Sequence, residues 1–194
     1  ENALVLDYTA TTDAPTIINL TNHSYFNLEG QSSGSMLEQT LCLNASTFTE
    51  GNAETCPTGR ILPVAGTPMD FTRAKPIGRD IQAEYSQLQM CGGYDHNFIL
   101  DKEPGMLALA AVARSEKTGI TMETYTTQPG VQLYTSNSLQ NDTRPGKTGG
   151  IYGRYQGFCL ETQHYPCTPS HPEFPSVELR PGEEYHETTI YKFL

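Results

Sequence analysis

Apolar and polar residues alternate along most of the chain, a two-residue period typical of half-buried β-strands. In "ALVLDYTAT", residues Leu4, Leu6 and Tyr8 fall on one face, and Asp7 falls on the other. The same pattern predicts further strands in "TIINLTNHSYF", "EQTLCLNASTF", "MLALAAVAR", "ITMETYTT", "GVQLYTSNSL", "GFCLETQHY" and "HETTIYKF". The strongest hairpin signal joins the two apolar runs in residues 106–127 through "SEKTG".

The remaining stretches predict loops and one short helix. Residues 50–80 and 140–156 are rich in Gly and Pro and are expected to be mostly loop, and residues 78–90 favour a short helix. We find no internal repeat and no linker, so residues 1–194 are expected to form one domain. Many short strands at fairly regular spacing predict an all-β sandwich or barrel.

Composition and charge restrict the classes of molecule that this protein is expected to bind. The net charge is −10 with only 12 Lys and Arg residues, which argues against nucleic acid and anionic membranes and favours a neutral small molecule. No apolar stretch of about 18 residues is present, so no membrane span is expected. The five cysteines are odd in number and show no CxxC spacing, which favours reduced thiols in a cytoplasmic protein.

Three stretches carry candidate chemistry: "NLTNHSYFNL" with His23, "GGYDHNF" with Asp95 and His96, and "GFCLETQHYP" with Glu161. A lone histidine in a strand is often structural, and Gly-Tyr-Asp-His is also ordinary turn chemistry. Glu161 is more informative, because a carboxylate at the end of an apolar strand is costly without a partner. Alternation places Cys159, Glu161 and Gln163 on one face, which indicates recognition of a polar ligand.

A metal site is the main alternative for the same residues. His23, Asp95, His96 and Glu161 have suitable ligand chemistry, but HxH, HxxxH and HExxH spacings are all absent. If residues 95–96 lie in a strand, Asp95 and His96 point to opposite faces. We therefore expect no metal and no other cofactor. A serine or cysteine hydrolase has less support, because the GxSxG motif is missing and no cysteine is marked as activated.

Five motifs taken together resemble the aldose 1-epimerases, also called galactose mutarotases. They are "PTIINLTNHSYFNLEG", "GGYDHNFIL", "ETYTTQPGVQLYTSN", "GFCLETQHYP" and "HPEFPSVELRPGEEYHETTIYKF". The resemblance runs nearly from residue 1 to residue 194. It implies an antiparallel β-supersandwich and the interconversion of the α and β anomers of a free aldose such as galactose or glucose.

The resemblance also implies a role for each matching residue. His23 is expected to protonate the sugar ring oxygen, and Glu161 to take the proton from the anomeric hydroxyl. Asp95 and Gln132 are expected to bind the sugar, together with Asn22 and Tyr25, which flank His23. This chemistry needs one positioned acid and one positioned base, and it needs no metal.

The chain departs from the family in length. The family's domain extends further at its N-terminus, where an "LHGG"-type histidine and an arginine also line the sugar pocket. We therefore expect the C-terminal portion of a mutarotase domain, partnered by the missing N-terminal half or by a second copy. Two other functions stay open: a non-catalytic carbohydrate-binding or regulatory module, and an epimerase of hexose 6-phosphates. The second would need a cluster of Arg, which this acidic chain does not supply.

Overall fold

The computed structural model describes residues 2–139 and 143–194, so part of the predicted loop 140–156 lies outside the described residues. The described residues form thirteen strands, one α-helix and one short 3-10 helix (Thr168–Ser170). The strands are β1 (Ala3–Ala10), β2 (Thr16–Ile17), β3 (Thr40–Leu43), β4 (Thr47–Gly51), β5 (Pro57–Pro63), β6 (Lys75–Pro76), β7 (Asp95–Ile99), β8 (Ala108–Arg114), β9 (Thr121–Thr126), β10 (Gly130–Tyr134), β11 (Cys159–Gln163), β12 (Glu178–Leu179) and β13 (Tyr185–Phe193). The helix is α1 (Ser86–Cys91).

The strands form two main antiparallel sheets and one small one. The first sheet has the order β1-β13-β9-β8-β3-β6, and the second has the order β11-β10-β7-β4-β5. Strands β2 and β12 pair separately. The predicted hairpin is confirmed as β8 and β9, which pair from Ala108–Thr126 to Arg114–Thr121.

The core lies between the two main sheets, because both present an apolar face to the same interior. Leu41 and Leu43 of β3 are buried on one side, as their alternation predicted. Phe98 of β7, Leu133 of β10 and Leu160 of β11 are buried on the other side. The opposite face of the five-stranded sheet therefore remains for polar residues, in the alternation that a sandwich requires.

Several elements differ from their predicted extent: "EQTLCLNASTF" divides into β3 and β4, and "GVQLYTSNSL" is a strand only over Gly130–Tyr134. The stretch "TIINLTNHSYF" forms only β2 and a single bridge between Phe26 and Phe158. Between them, the Asn19 side chain bonds to the His164 backbone and the Asn22 side chain bonds to the Ser24 backbone. The helix predicted in residues 78–90 begins only at Ser86, since Asp80 is held by Lys75 Nζ at 2.7 Å in a preceding turn. The helix ends at Cys91 and is capped by Gly92, which has φ 64°.

None of the helices in the described ranges has both the length and the apolar character that crossing a membrane requires.

Candidate active site

A polar cavity of about 630 Å³ lies on the outer face of the five-stranded sheet, within the usual size range of small-molecule sites. It contains most of the residues that the sequence singled out. Its described lining is Asn19, His23, Tyr25, Thr55, Met90, Cys91, Asp95, Gln132, Tyr134, Asn137, Ser138, Glu161, Gln163 and Pro166.

Strand register aligns three polar residues on the cavity face of the five-stranded sheet, and two of them, Glu161 and Gln132, line the cavity. Glu161 of β11 is opposite Gln132 of β10, and Gln132 is opposite Asn97 of β7. Residues directly opposite each other in antiparallel strands project on the same face. One carboxylate and two carboxamides therefore stand in a row. Their apolar strand neighbours point into the core.

His23 reaches the cavity on an irregular segment, residues 19–26, that follows the outer edge of β11. The side chain of Asn19 pairs with the backbone of His164, donating to its carbonyl at 3.0 Å and accepting from its N–H at 2.9 Å. At the other end, Phe26 and Phe158 exchange backbone hydrogen bonds of 2.8 and 3.0 Å. These two clamps fix both ends of the segment, so His23 is held over the middle of β11.

The imidazole of His23 and the carboxylate of Glu161 are in direct contact. His23 Nε2 lies 3.3 Å from Glu161 Oε1, and the exposed fractions of the two side chains are 49% and 10%. The rings of Tyr25 and Tyr134 pack against the imidazole, with centroid distances of 5.1 and 5.9 Å. The histidine is therefore accessible from the cavity mouth while the carboxylate lies at its base.

Burial raises the pKa of both carboxyl groups in the cavity. It raises the pKa of Glu161, an effect that the nearby His23 opposes and Asp95 reinforces. Burial also raises the pKa of Asp95, which its hydrogen bond from Gln132 partly offsets. The pKa of Tyr25 rises to about 12, chiefly through burial, so its phenol stays protonated. A carboxylate with a raised pKa is a stronger base, as proton abstraction requires.

Asp95 and Gln132 are joined by a side-chain hydrogen bond. Gln132 Nε2 donates to Asp95 Oδ1 at 2.8 Å. His96 follows Asp95 in β7 and points to the opposite face, where it is buried against Phe48. The predicted separation of Asp95 and His96 is therefore confirmed, and only Asp95 faces the cavity.

A third side chain, Cys159, completes the group around His23. Its Sγ lies 3.4 Å from His23 Nδ1. Ligand atoms of His23, Cys159 and Glu161 lie within 4.8 Å of one another, which is suitable spacing for a metal ion. The two contacts of the imidazole, however, use different ring nitrogens. One ion binds only one of them, so a metal ion bound to His23 would replace at least one of these two contacts.

The structure brings together His23, Glu161, Asp95, Gln132 and Tyr25. Asn22 does not line the cavity, because its Oδ1 accepts the Ser24 backbone N–H at 3.2 Å and shapes the turn beside His23. A role for Asn22 in binding sugar stays a prediction.

Sequence reasoning missed Asn97 and the clamp residue Asn19. Asn97 is 1% exposed, and its side-chain amide has no hydrogen-bond partner in the described part of the chain. Alternation from Asp95 would have placed Asn97 on the cavity face. No local signal marks Asn19, whose partner His164 is 145 residues away.

The family model described as aldose 1-epimerase matches residues 1–192, and the chain belongs to this family. It is 43% identical over 192 residues to galactose mutarotase from Homo sapiens, covering 98% of this chain and 54% of that protein. It is 35% identical over 196 residues to aldose 1-epimerase from Escherichia coli (strain K12), covering 100% of this chain and 56% of that protein.

Solved structures agree with the predicted fold. The chain superposes on a GalM/aldose epimerase homologue from C. elegans with a TM-score of 0.86 and 33% identity, covering 100% of this chain and 56% of that one. It superposes on a galactose 1-epimerase from Lactobacillus acidophilus with a TM-score of 0.84 and 30% identity, covering 100% of this chain and 54% of that one. The all-β, mutarotase-type fold is thereby confirmed. The chain spans about half the length of the curated relatives that it matches.

Proposed function

We propose that this chain interconverts the α and β anomers of a free aldose, with His23 as the acid and Glu161 as the base. The observation that carries the proposal is the contact of 3.3 Å between His23 Nε2 and Glu161 Oε1 in a polar cavity. The anomeric hydroxyl and the ring oxygen of a pyranose are bonded to the same carbon. An acid and a base that act on both atoms must therefore lie close together, as this pair does.

The proposed reaction proceeds by opening and closing of the ring. Glu161 takes the proton of the anomeric hydroxyl, and the C1–O bond to the ring oxygen breaks while His23 protonates that oxygen. Rotation about C1–C2 turns the aldehyde, and the reverse proton transfers close the ring on its other face. Atoms and electrons balance without a cofactor, and each positioned group contributes roughly 10²–10⁴-fold.

The cavity chemistry supports an uncharged monosaccharide as the substrate. No Lys or Arg occurs among its described lining residues, whereas Asp95, Gln132 and Glu161 supply acceptors and donors for hydroxyl groups. A hexose 6-phosphate would bring its charge toward two carboxylates. Galactose or glucose is the substrate we favour, with Asp95, Gln132 and Tyr25 as contacts to the sugar.

Polarimetry on freshly dissolved α-D-galactose tests the proposal. The chain should approach the equilibrium optical rotation faster than a buffer blank. The Glu161→Gln change should lower this rate enhancement at least 100-fold. Glu178→Gln, an exposed change on β12, is the matched control and should keep full activity. A Glu161→Gln variant as fast as the original chain would exclude the mechanism. Faster turnover of galactose 6-phosphate than of galactose would exclude the neutral substrate.

The second candidate is a carbohydrate-binding or regulatory module without catalysis. The observation in its favour is that the chain spans only about half of its relatives. Calorimetric titration with galactose separates the two candidates. Saturable binding with a rotation rate equal to the blank, both for the chain alone and with the other portion of the domain added, would support the module.

We also propose that the other portion of an aldose 1-epimerase domain docks against β1. Strand β1 pairs only with β13 among the described strands, and Leu4 and Val5 are 45% and 56% exposed. An exposed edge of this kind invites another strand. The five free cysteines support a reducing, cytoplasmic location for the complex.

A further inference from the structure

The two ring nitrogens of His23 contact two side chains that lie two residues apart on β11. Nε2 faces the Glu161 carboxylate at 3.3 Å, and Nδ1 faces the Cys159 thiol at 3.4 Å. Alternation along the strand places both side chains on the cavity face, and the imidazole lies across them. The mechanism proposed above uses Glu161 and leaves Cys159 without a role.

The environment of Cys159 keeps its sulfur protonated. The residue is completely buried, and burial together with the neighbouring carboxylates Glu161 and Asp95 raises the pKa of the thiol well above its ordinary value. A thiol is a weak donor and a weak acceptor, whereas a thiolate only accepts. An S–H group this close to Nδ1 donates to the lone pair of that nitrogen when the neutral ring carries its proton on Nε2.

We infer that Cys159 is a positioning residue that holds neutral His23 with its proton on Nε2, the nitrogen that faces Glu161. When the ring carries both protons, or keeps only the Nδ1 proton after Nε2 has protonated the sugar, the thiol rotates and accepts from Nδ1–H. The same side chain therefore accommodates each of these states of the imidazole. A carboxylate in its place would accept from Nδ1–H in every state and would oppose return of the ring to neutrality. The value of this arrangement for catalysis rests on the proposed function, but the hydrogen bond itself does not.

The other described groups around the imidazole interact with it in ways that do not involve Nδ1. Tyr25 and Tyr134 pack against the imidazole by ring contacts. Glu161 lies at Nε2, and Asp95 acts on the ring only through its charge. Within the described ranges, the thiol is the one hydrogen-bond partner of Nδ1.

Nitrogen NMR of the sugar-free, ¹⁵N-histidine-labelled chain tests the inference without relying on activity. His23→Gln assigns the signals, and spectra are recorded at a pH where the ring is neutral. We expect Nδ1 to be the unprotonated nitrogen, with its shift displaced by an accepted hydrogen bond. Cys159→Ala and the bulkier Cys159→Val should move this shift to the value of an unbonded imine nitrogen, and Cys159→Ser should restore it. Cys42→Ala, in the other sheet, is the matched control and should change nothing.

Two results would overturn the inference: a proton on Nδ1 in the original chain, or an Nδ1 shift in Cys159→Ala and Cys159→Val that is unchanged from the original chain. If the alanine variant fails to fold, the valine variant and the original chain still decide the question. Polarimetry adds a separate comparison, in which a loss of about tenfold in Cys159→Ala and its recovery in Cys159→Ser are expected. A chain that shows the nitrogen shifts without any turnover, both alone and with the other portion of the domain added, would retain the positioning role and refute the proposed function.

Discussion

Gln132 reaches diagonally across the strand pair β7–β10 and donates its side-chain amide to the Asp95 carboxylate at 2.8 Å. The register of the β7–β10 pair explains why the Gln132 side chain can reach Asp95. Gln132 is directly opposite Asn97, and Asp95 is opposite Tyr134, so the two partners are diagonal neighbours that a long side chain can join. Because Asp95 is largely buried, this bond is a major compensation for its charge. It also fixes one Asp95 oxygen while the rest of the group faces the cavity.

Replacing Gln132 with Leu is therefore expected to weaken galactose binding by about ten- to a hundredfold, as for loss of a hydrogen bond to a charged group. Asp95→Asn should weaken binding too. The double variant should lose less than the sum of the two, because the partners act together. Calorimetric titration of the four proteins measures the coupling. Additive losses would show that Gln132 and Asp95 act on the sugar independently.

Glu161→Gln is expected to stabilise the fold at neutral pH, while it removes catalysis. Burial raises the pKa of Glu161, so folding favours the protonated form. That favourable contribution is present below the ordinary pKa of Glu and is lost as pH rises through the raised value. The uncharged amide avoids this loss. The melting temperature of Glu161→Gln should exceed that of the original chain at pH 7.5, and the gap should shrink toward pH 4.

The control for this comparison is Glu178→Gln, which lies on the surface and should melt like the original chain at both pH values. A Glu161→Gln variant that melts lower at pH 7.5 would mean that attraction to His23 outweighs the cost of burying the carboxylate.

His96 is expected to make the fold sensitive to acid. Burial lowers the pKa of His96 to about 4, from an ordinary value near 6.5. The unfolded chain therefore takes up a proton before the folded chain does, and stability falls as pH drops from about 6.5 to 4. A shift of this size corresponds to roughly 3 kcal/mol. His96→Asn keeps an acceptor for the Asp95 backbone N–H, which His96 Nδ1 now accepts at 3.1 Å, but cannot take up the proton.

Urea unfolding between pH 4 and pH 7 measures this effect as the difference between variant and original chain. The free energy of unfolding of His96→Asn should lose the part of its fall toward low pH that protonation of His96 causes in that window. The exposed His186→Asn should retain most of it. Parallel curves for the original chain and His96→Asn would show that another group causes the acid sensitivity.

Most of the sheet structure was predictable from the sequence, because burial on one face imposes the alternation directly. Strands β8 and β9 and the shared face of Cys159, Glu161 and Gln163 follow from that rule. The segment around His23 does not, since polar side chains there satisfy their hydrogen bonds with distant backbone. Its position depends on the clamps at Asn19 and Phe26, and neither partner is encoded nearby.

The site was predictable to a lesser extent than the sheets. A period of two identifies which residues share a face, but it does not determine which strands become neighbours. The row of Glu161, Gln132 and Asn97 arises from the pairing of β11, β10 and β7, and the register of these pairs is a tertiary property. The contact between Cys159 and His23 likewise joins residues 136 apart in the sequence.

If the other portion of the domain docks against β1, a charge on the exposed part of β1 should prevent the complex. Leu4 is opposite Tyr191 in the β1–β13 pair, and Tyr191 is fully buried, so Leu4 faces the core side although it is 45% exposed. A lysine there would place a charge where an apolar partner must pack, which opposes association. Sedimentation velocity on mixtures with the N-terminal portion of an aldose 1-epimerase domain should show a complex with the original chain and none with Leu4→Lys.

The matched control is Ile61→Lys on β5, the outer strand of the other sheet, where Ile61 is 48% exposed. Its complex should form normally, because the change adds the same charge to an edge that the proposal does not use. Complex formation by Leu4→Lys, or its loss in Ile61→Lys alone, would place the docking surface elsewhere. Dimers of the original chain that Leu4→Lys abolishes, with no complex with the N-terminal portion, would identify a second copy as the occupant of β1.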